Sequence, residues 1–299
     1  MKSKQVAIDV SNLDEILVYV RLYLGQRRYW EAAEMVRSVC RALPDEPGTL
    51  ALTEAVAEAL ALEFVDFKGN AESGRELINL YAHSAPKKIR VDKNIEGFSE
   101  LATNIIAESR SALHFDRLYS IHQAILNVAK LAGPFLELGV YGGGTLKFIA
   151  QTCQMHGFDA PVFGLDTFKG HVGVNQASDG PAQIEGLFAD EGFEKVAAYV
   201  GQLPNVRLVA GDVRETLAGI LDQFEQIRFA HIDMDIYAPT AFSLPLLAQK
   251  LDRGGILILD DYGFVTCPGA KKATDEFLAS RTDFVKFHQL SGQCLLVKI

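Results

Sequence analysis

IRFAHIDMDIYAPTAFSLPLLAQKLDRGGILILDD, residues 227–261, holds two apolar runs that each end in a pair of acids. Ile227–Ile232 runs into Asp233-Met234-Asp235, and Gly255–Leu259 runs into Asp260-Asp261. Runs this short and apolar read as strands buried on both faces of a parallel sheet. From Asp233 to Asp261 is 261 − 233 = 28 residues, room for one crossover helix and the return strand. Neighbouring parallel strands end side by side, so the four carboxylates should crowd the carboxyl edge of one sheet, where open α/β sheets bind ligands. Four such groups cannot all stay ionised at close quarters without a cation or a shared proton. The pattern predicts an enzyme.

Outward from this stretch, the chain from Pro134 onward alternates strands and helices. Strands are expected at Phe135–Gly139, Val162–Asp166, Val206–Ala210, Arg228–Asp233 and Gly255–Asp260. Helices are expected at Thr145–Met155, Gly192–Leu203, Arg214–Gln223, Pro239–Leu251 and Ala270–Ala279. Two last strands, Phe284–Leu290 and Gln293–Ile299, are separated by Ser291-Gly292 alone and must pair antiparallel. Five parallel strands closed by an antiparallel hairpin make a doubly wound sheet with a distinctive tail.

The first strand enters a glycine loop, FLELGVYGGGT at 135–145. Glycines let the backbone approach a ligand, and the helix start that follows offers unpaired N–H groups. Dinucleotide oxidoreductases have such a loop too, and Asp166 lies 166 − 144 = 22 residues past it, where their ribose acid would fall. Glu137, two residues before the first glycine, tells against that reading, because it would repel a pyrophosphate. It suits the sulfonium and ammonium of S-adenosylmethionine (SAM). The terminal hairpin likewise matches class I SAM methyltransferases. On this reading Glu137 and the backbone of Gly139, Gly142 and Gly143 surround the methionine part of SAM, and Asp233 adjoins it. Asp166 takes the ribose hydroxyls, and Gly211-Asp212 flanks the adenine. Asp212 would equally serve as the helix N-cap before Arg214.

Together, FLELGVYGGGT at 135–145, GLDTFKG at 164–170, HIDMDIY at 231–237, GGILILDDYG at 254–263 and PGAKKATDEF at 268–277 resemble the macrocin-type O-methyltransferases. The resemblance covers about residues 112–299. It implies a seven-stranded, Rossmann-like class I methyltransferase sheet and metal-dependent methylation of sugar hydroxyls on natural products. It also implies that Asp233, Asp260 and Asp261 bind Mg²⁺ and that Asp235 is the general base. Mg²⁺ does favour oxygen ligands from a few carboxylates, waters and substrate, and a hydroxyl on such an ion loses its proton more easily. Asp235 could also be a ligand or a supporting group. His171, in the loop Lys169–Gly180, could assist proton transfer. Tyr237 and Tyr262 could line a sugar pocket, and Lys271 and Lys272 could touch substrate or face water. His231, opening a buried strand, reads as structural.

The 299 residues, with net charge −9 and 48% apolar content, describe a globular protein without the basic surface that nucleic acid requires. A small hydroxylated molecule is the expected partner. Cys40, Cys153, Cys267 and Cys294 show no metal-ligand spacing and read as free thiols in a reducing cytoplasm. The opening MKSKQVAIDVSNLDE lacks the apolar core of a secretory signal, and no run of about 18 apolar residues appears that would span a membrane. A cytoplasmic enzyme is expected.

The first third reads as helices at Asn12–Gln26, Tyr29–Leu43, Thr49–Phe67 and Gly74–His83, with a linker at Ser84–Gly97. Tyr23, Tyr29, Ala32 and Pro44 fall as in a single degenerate tetratricopeptide unit. The expected domains are therefore a small all-helical one over 1–97 and a methyltransferase over 98–299, and apolar helices in the first would suit a homodimer. Two alternatives stand beside this: a nicotinamide oxidoreductase, and a non-catalytic SAM-binding scaffold.

Overall fold

A computed structural model describes residues 13–26, 29–64 and 93–299. The chain divides into two compact units, 1–90 and 91–299. In the first, α1 (Leu13–Gly25), α2 (Tyr29–Ala42) and α3 (Pro47–Phe64) pack on one another. Their apolar stripes meet at Ile16, Val20, Ala32, Val36, Val39, Leu52 and Val56, all buried. Pro47 opens α3 where a missing N–H costs nothing. The helix expected at Gly74–His83 lies outside the described residues.

The second unit begins with α4 (Lys93–Ala107), so the end of the expected linker is helical. Phe98, fully buried among Phe115, Tyr119 and Phe148, anchors that helix to the unit. It is followed by α5 (Phe115–Asn127), and then the sheet begins. The strands are β1 (Phe135–Leu138), β2 (Val162–Asp166), β3 (Val206–Ala210), β4 (Ile227–Ile232), β5 (Leu251–Leu259), β6 (Phe284–His288) and β7 (Cys294–Lys298). They lie in the order β3-β2-β1-β4-β5-β7-β6. β1 to β5 are parallel, and β7 pairs antiparallel with both β5 and β6. Between them run α6 (Gly144–Met155), the short α7 (Gln176–Asp179), α8 (Phe193–Val200), α9 (Val213–Leu221), α10 (Tyr237–Lys250) and α11 (Pro268–Leu278). β5 starts earlier than its sequence suggested, at Leu251, across the charged Asp252-Arg253 that precedes Gly254.

Strand alternation splits the core into two clusters. Phe135, Phe229, Ile256 and Ile258 pack on the side of α4, α5 and α6, with Phe98, Ile121 and Phe148. Leu136, Leu138, Ala230, Ile232, Leu257 and Leu259 pack on the other side, with Leu217, Leu244 and Leu247. The strand order switches sides between β1 and β4, which opens the crevice where ligands bind.

Candidate active site

Two polar regions form at that crevice, one for each parity of the strands. On the α5 side, Glu137 stands opposite His231 in the β1–β4 register. Both are buried, as is Asp260. Glu137 Oε1 is 3.1 Å from His231 Nδ1, and His231 Nε2 is 3.3 Å from Asp260 Oδ1. Gln293 donates to the same Asp260 oxygen at 2.7 Å, and Arg117 from α5 pairs with Asp260 Oδ2. Arg117 also donates to the Ala112 carbonyl at 2.6 Å and lies over the Phe264 ring.

The protonation states follow from these partners. Burial alone would lower the His231 pKa, but its bonds to Asp260 and Glu137 outweigh that and raise it to about 10. Burial would raise Asp260, yet the His231 bond and the Arg117 charge hold its carboxyl below the usual range. Burial pushes Glu137 up to about 7 despite His231. Its second oxygen, Oε2, is buried and has no partner.

The other region holds Asp235 and Asp261 beside Cys267, and Asp233 bridges the two, near His231 and Asp260 on one side and within the field of Asp235 and Asp261 on the other. Burial together with the neighbouring carboxylates raises both Asp233 and Asp261 well above ordinary acids. Asp235 sits at φ +60°, a left-handed conformation that a non-glycine residue adopts at some cost. Its amide donates to Asp261 Oδ2 at 2.9 Å, which fixes that turn. Its own carboxylate is held at both oxygens. His171 Nε2 is 3.1 Å from Oδ2, and the Cys267 thiol donates to Oδ1 at 3.2 Å. Burial pushes the Cys267 thiol up, and the charges of Asp261 and Asp235 add to that, so it stays protonated.

A cavity of about 290 Å³ is lined by Glu137, Gly139, Asp166, Asp212, Asp233, Asp235, Asp261 and His171, and also by Arg117, Phe188, Phe264 and Cys267. A model of the macrocin O-methyltransferase family (TylF) matches residues 102–284. The chain belongs to that family. It is a SAM-dependent O-methyltransferase, with SAM as methyl donor. Membership disfavours both the nicotinamide enzyme and the non-catalytic scaffold.

Among its relatives, the demethyldecarbamoylnovobiocin O-methyltransferase of Streptomyces niveus is 27% identical over 188 residues, 58% of this chain and 69% of that protein. A second, from Streptomyces olivaceus, is named 8-demethyl-8-(2,3-dimethoxy-alpha-L-rhamnosyl)-tetracenomycin-C 4'-O-methyltransferase. It is 30% identical over 46% of this chain and 56% of its own length. The solved O-methyltransferase NovP superposes with TM-score 0.55 at 24% identity, covering 63% of this chain and 82% of NovP. The calicheamicin methyltransferase CalS11 covers 85% of this chain and 93% of its own, with TM-score 0.51 at 21% identity. Both share the class I methyltransferase fold.

Several expected site residues are placed differently from the expectation. Gly142, Gly143 and Gly211 do not line the cavity. A Cβ on Gly142 would strike the Arg110 carbonyl at 2.7 Å, and one on Gly143 would meet Val196 at 3.0 Å, so these glycines serve close packing. Gly211, at φ +142°, donates its amide to the Asp166 carbonyl at 2.9 Å. Gly139 does line the cavity, and there a Cβ would fall 1.8 Å from the Asp233 carbonyl. Asp166 accepts the amides of Val140, Tyr141 and Phe168, at 2.7, 3.0 and 2.6 Å, and so ties the glycine loop to β2. Asp212 is the N-cap of α9, accepting from the Arg214 amide at 2.8 Å, and its bonds to the Arg214 side chain lower its pKa.

Asp260 does not line the cavity either, and it falls with His231 and Asp233 rather than with Asp261. Tyr237 bonds Glu276 at 2.6 Å and Tyr262 bonds Asp275 at 2.7 Å, both outside the cavity lining. Lys271 and Lys272 make exposed pairs with Asp275 and Glu276. The four cysteines are free. No described helix is long and apolar enough to cross a membrane.

Arg117 and Cys267 had no motif to mark them. Arg117 had a signal of another kind, since a buried strand end carrying Asp260 requires a cation on the same face.

Proposed function

We propose that the enzyme methylates a sugar hydroxyl on a glycosylated small molecule, with a divalent cation, Mg²⁺ by its ligand chemistry, held at Asp233 and Asp261. The observation that carries this is the pair of raised, cavity-lining carboxylates with no cationic side chain bonded to them among the described residues. All-oxygen donors of this kind fit Mg²⁺. The acceptor class is supported by the rhamnosyl compound in one relative's name. When bound, the cation would supply positive charge that lowers the pKa of an acceptor hydroxyl.

SAM supplies an electrophilic methyl on its sulfonium. The unpartnered Oε2 of Glu137 fits the SAM ammonium, which would relieve a buried, unpaired acceptor. Asp166 and Asp212 line the ribose and adenine sides, with Gly139 giving backbone close approach. Asp235 takes the hydroxyl proton, and His171 and Cys267 orient its carboxylate. Asp260 stands behind the cavity wall, its charge balanced by Arg117 and His231, as a support for the site.

The test is transfer of a labelled methyl from SAM to a panel of glycosides and their aglycones. Labelling of glycosides alone is expected, and equal labelling of aglycones would overturn the acceptor class. Asp235→Asn should lower kcat by about 10²–10⁴-fold while SAH (S-adenosylhomocysteine) binding persists. Full turnover in that variant would remove Asp235 as the base.

A further inference from the structure

We infer that His231 is a positioning residue for the methyl donor: it carries the fixed geometry of Asp260 across the sheet to Glu137 and aims Glu137 Oε2 into the cavity. The inference rests on the proposed pairing of Glu137 with the SAM ammonium.

His231 does not line the cavity and so cannot touch SAM. Its position is nevertheless set from both sides. Nε2 is held at Asp260, which is fixed by Arg117 from α5 and by Gln293 beside β7. Nδ1 faces Glu137 Oε1 at 3.1 Å, so each ring nitrogen meets one carboxyl oxygen. Among the described residues Glu137 has no other donor: Oε1 has His231 and Oε2 has none. With one oxygen fixed and the strand backbone locked in register, the carboxylate plane and the direction of Oε2 are determined. Without His231, Glu137 would sit between Leu136 and Leu138 with both oxygens unpartnered, free to rotate or to take a proton. A histidine with a purely structural role would satisfy its own nitrogens. It would not leave a buried, unpaired oxygen on a carboxylate that lines a ligand cavity.

Two isosteric substitutions separate the two bonds. His231→Asn puts an amide N–H near the Nδ1 position and retains the Glu137 bond. His231→Gln puts it near Nε2, retaining the Asp260 bond and losing Glu137. SAH affinity by calorimetry should fall about tenfold or more in His231→Gln, the size of a lost bond to a charged group. It should fall by less, about threefold, in His231→Asn, which keeps the Glu137 bond and loses only the Asp260 anchor. Glu137→Gln is the control. If Glu137→Gln leaves SAH affinity unchanged, the ammonium assignment fails and this inference with it. If Glu137→Gln weakens binding but the two His231 variants are equal, only the positioning role is overturned. Should either His231 variant fail to fold, ¹⁵N-histidine-labelled wild type supplies a second readout. SAH should then move the His231 ring N–H signals, and unmoved signals overturn the inference.

Discussion

Asp260 and Asp261 are adjacent in sequence and opposite in circumstance. Strand alternation turns Asp260 toward α5, where Arg117, His231 and Gln293 balance it. It turns Asp261 toward α10 and α11, where it meets Asp235 and Cys267 and feels the charge of Asp233 at the seam between the two faces. The same residue type therefore does two jobs. On one face a carboxylate is part of the frame, its pKa held down by partners. On the other, burial and the repulsion of neighbouring carboxylates drive pKa values up, and a cation is the natural relief. A protein spends little to keep a balanced pair and much to keep an unbalanced one. The unbalanced side is thus the one to read as a binding site.

The sharpest way to break this contrast is Asp260→Asn. Removing one member of a buried ion pair strands Arg117 and His231, and a loss of about 3–5 kcal/mol in urea denaturation is expected. A loss no larger than that of an exposed pair would mean that the α5 side is not a frame. Asp261→Asn should act in the opposite direction. Its raised folded pKa means that the ionised group destabilises the folded state at neutral pH. The metal-free variant should therefore melt at the same or a higher temperature than wild type. Mg²⁺ should raise the melting temperature of wild type and leave that of Asp261→Asn unmoved. An equal Mg²⁺ response in both would move the cation elsewhere.

A smaller effect comes from pH. The folded pKa of His231, about 10 against an ordinary 6.5, gives stability that is complete below 6.5 and lost as pH rises through 10. Glu137, raised from 4.5 to about 7, is favoured in its neutral form when folded, so its share is lost earlier, as pH rises from 4.5 to 7. The melting-temperature gap between wild type and His231→Asn should hence narrow from pH 7 to pH 10. A constant gap would show that His231 carries no charge in the folded protein.

The sheet was legible in the sequence because short apolar runs ending in acids or glycines have few other uses. β2 and β3 begin and end where their patterns do, and the two acidic strand ends do lie on neighbouring strands. The helix starting at Lys93 was hidden by a charged, interrupted stretch, because burial of Phe98 settles its state and burial is not a local property. The site was legible as a cluster but not as two. Gly142 and Gly143 looked like ligand contacts because a glycine loop carries the same signature whether it admits a ligand or a neighbouring backbone. Counting parity along β5 would have set Asp260 with Ile256 and Ile258 and Asp261 with Leu257 and Leu259, on opposite faces. Arg117 could not be paired by inspection, since Asp260 lies 143 residues further along the chain.

The smallest effect expected is at Lys272, and it tests the contrast from outside. Lys272 pairs with Glu276 one helical turn on and lies 4.1 Å from the Tyr237 ring centroid. It resembles Arg117, a cation bonded to a carboxylate and placed over an aromatic ring. What differs is water: Lys272 is half exposed, whereas the Arg117 side chain is 13% exposed against a fully buried Asp260. Solvent and salt screen the exposed pair, and ordering two long side chains offsets most of its attraction. Lys272→Ala should leave the melting temperature and SAH affinity unchanged, while Arg117→Ala lowers the first and, through Asp260 and His231, weakens the second. Equal responses at the two positions would mean that burial does not set the worth of these pairs, and the division of the sheet edge into frame and binding site would lose its physical basis.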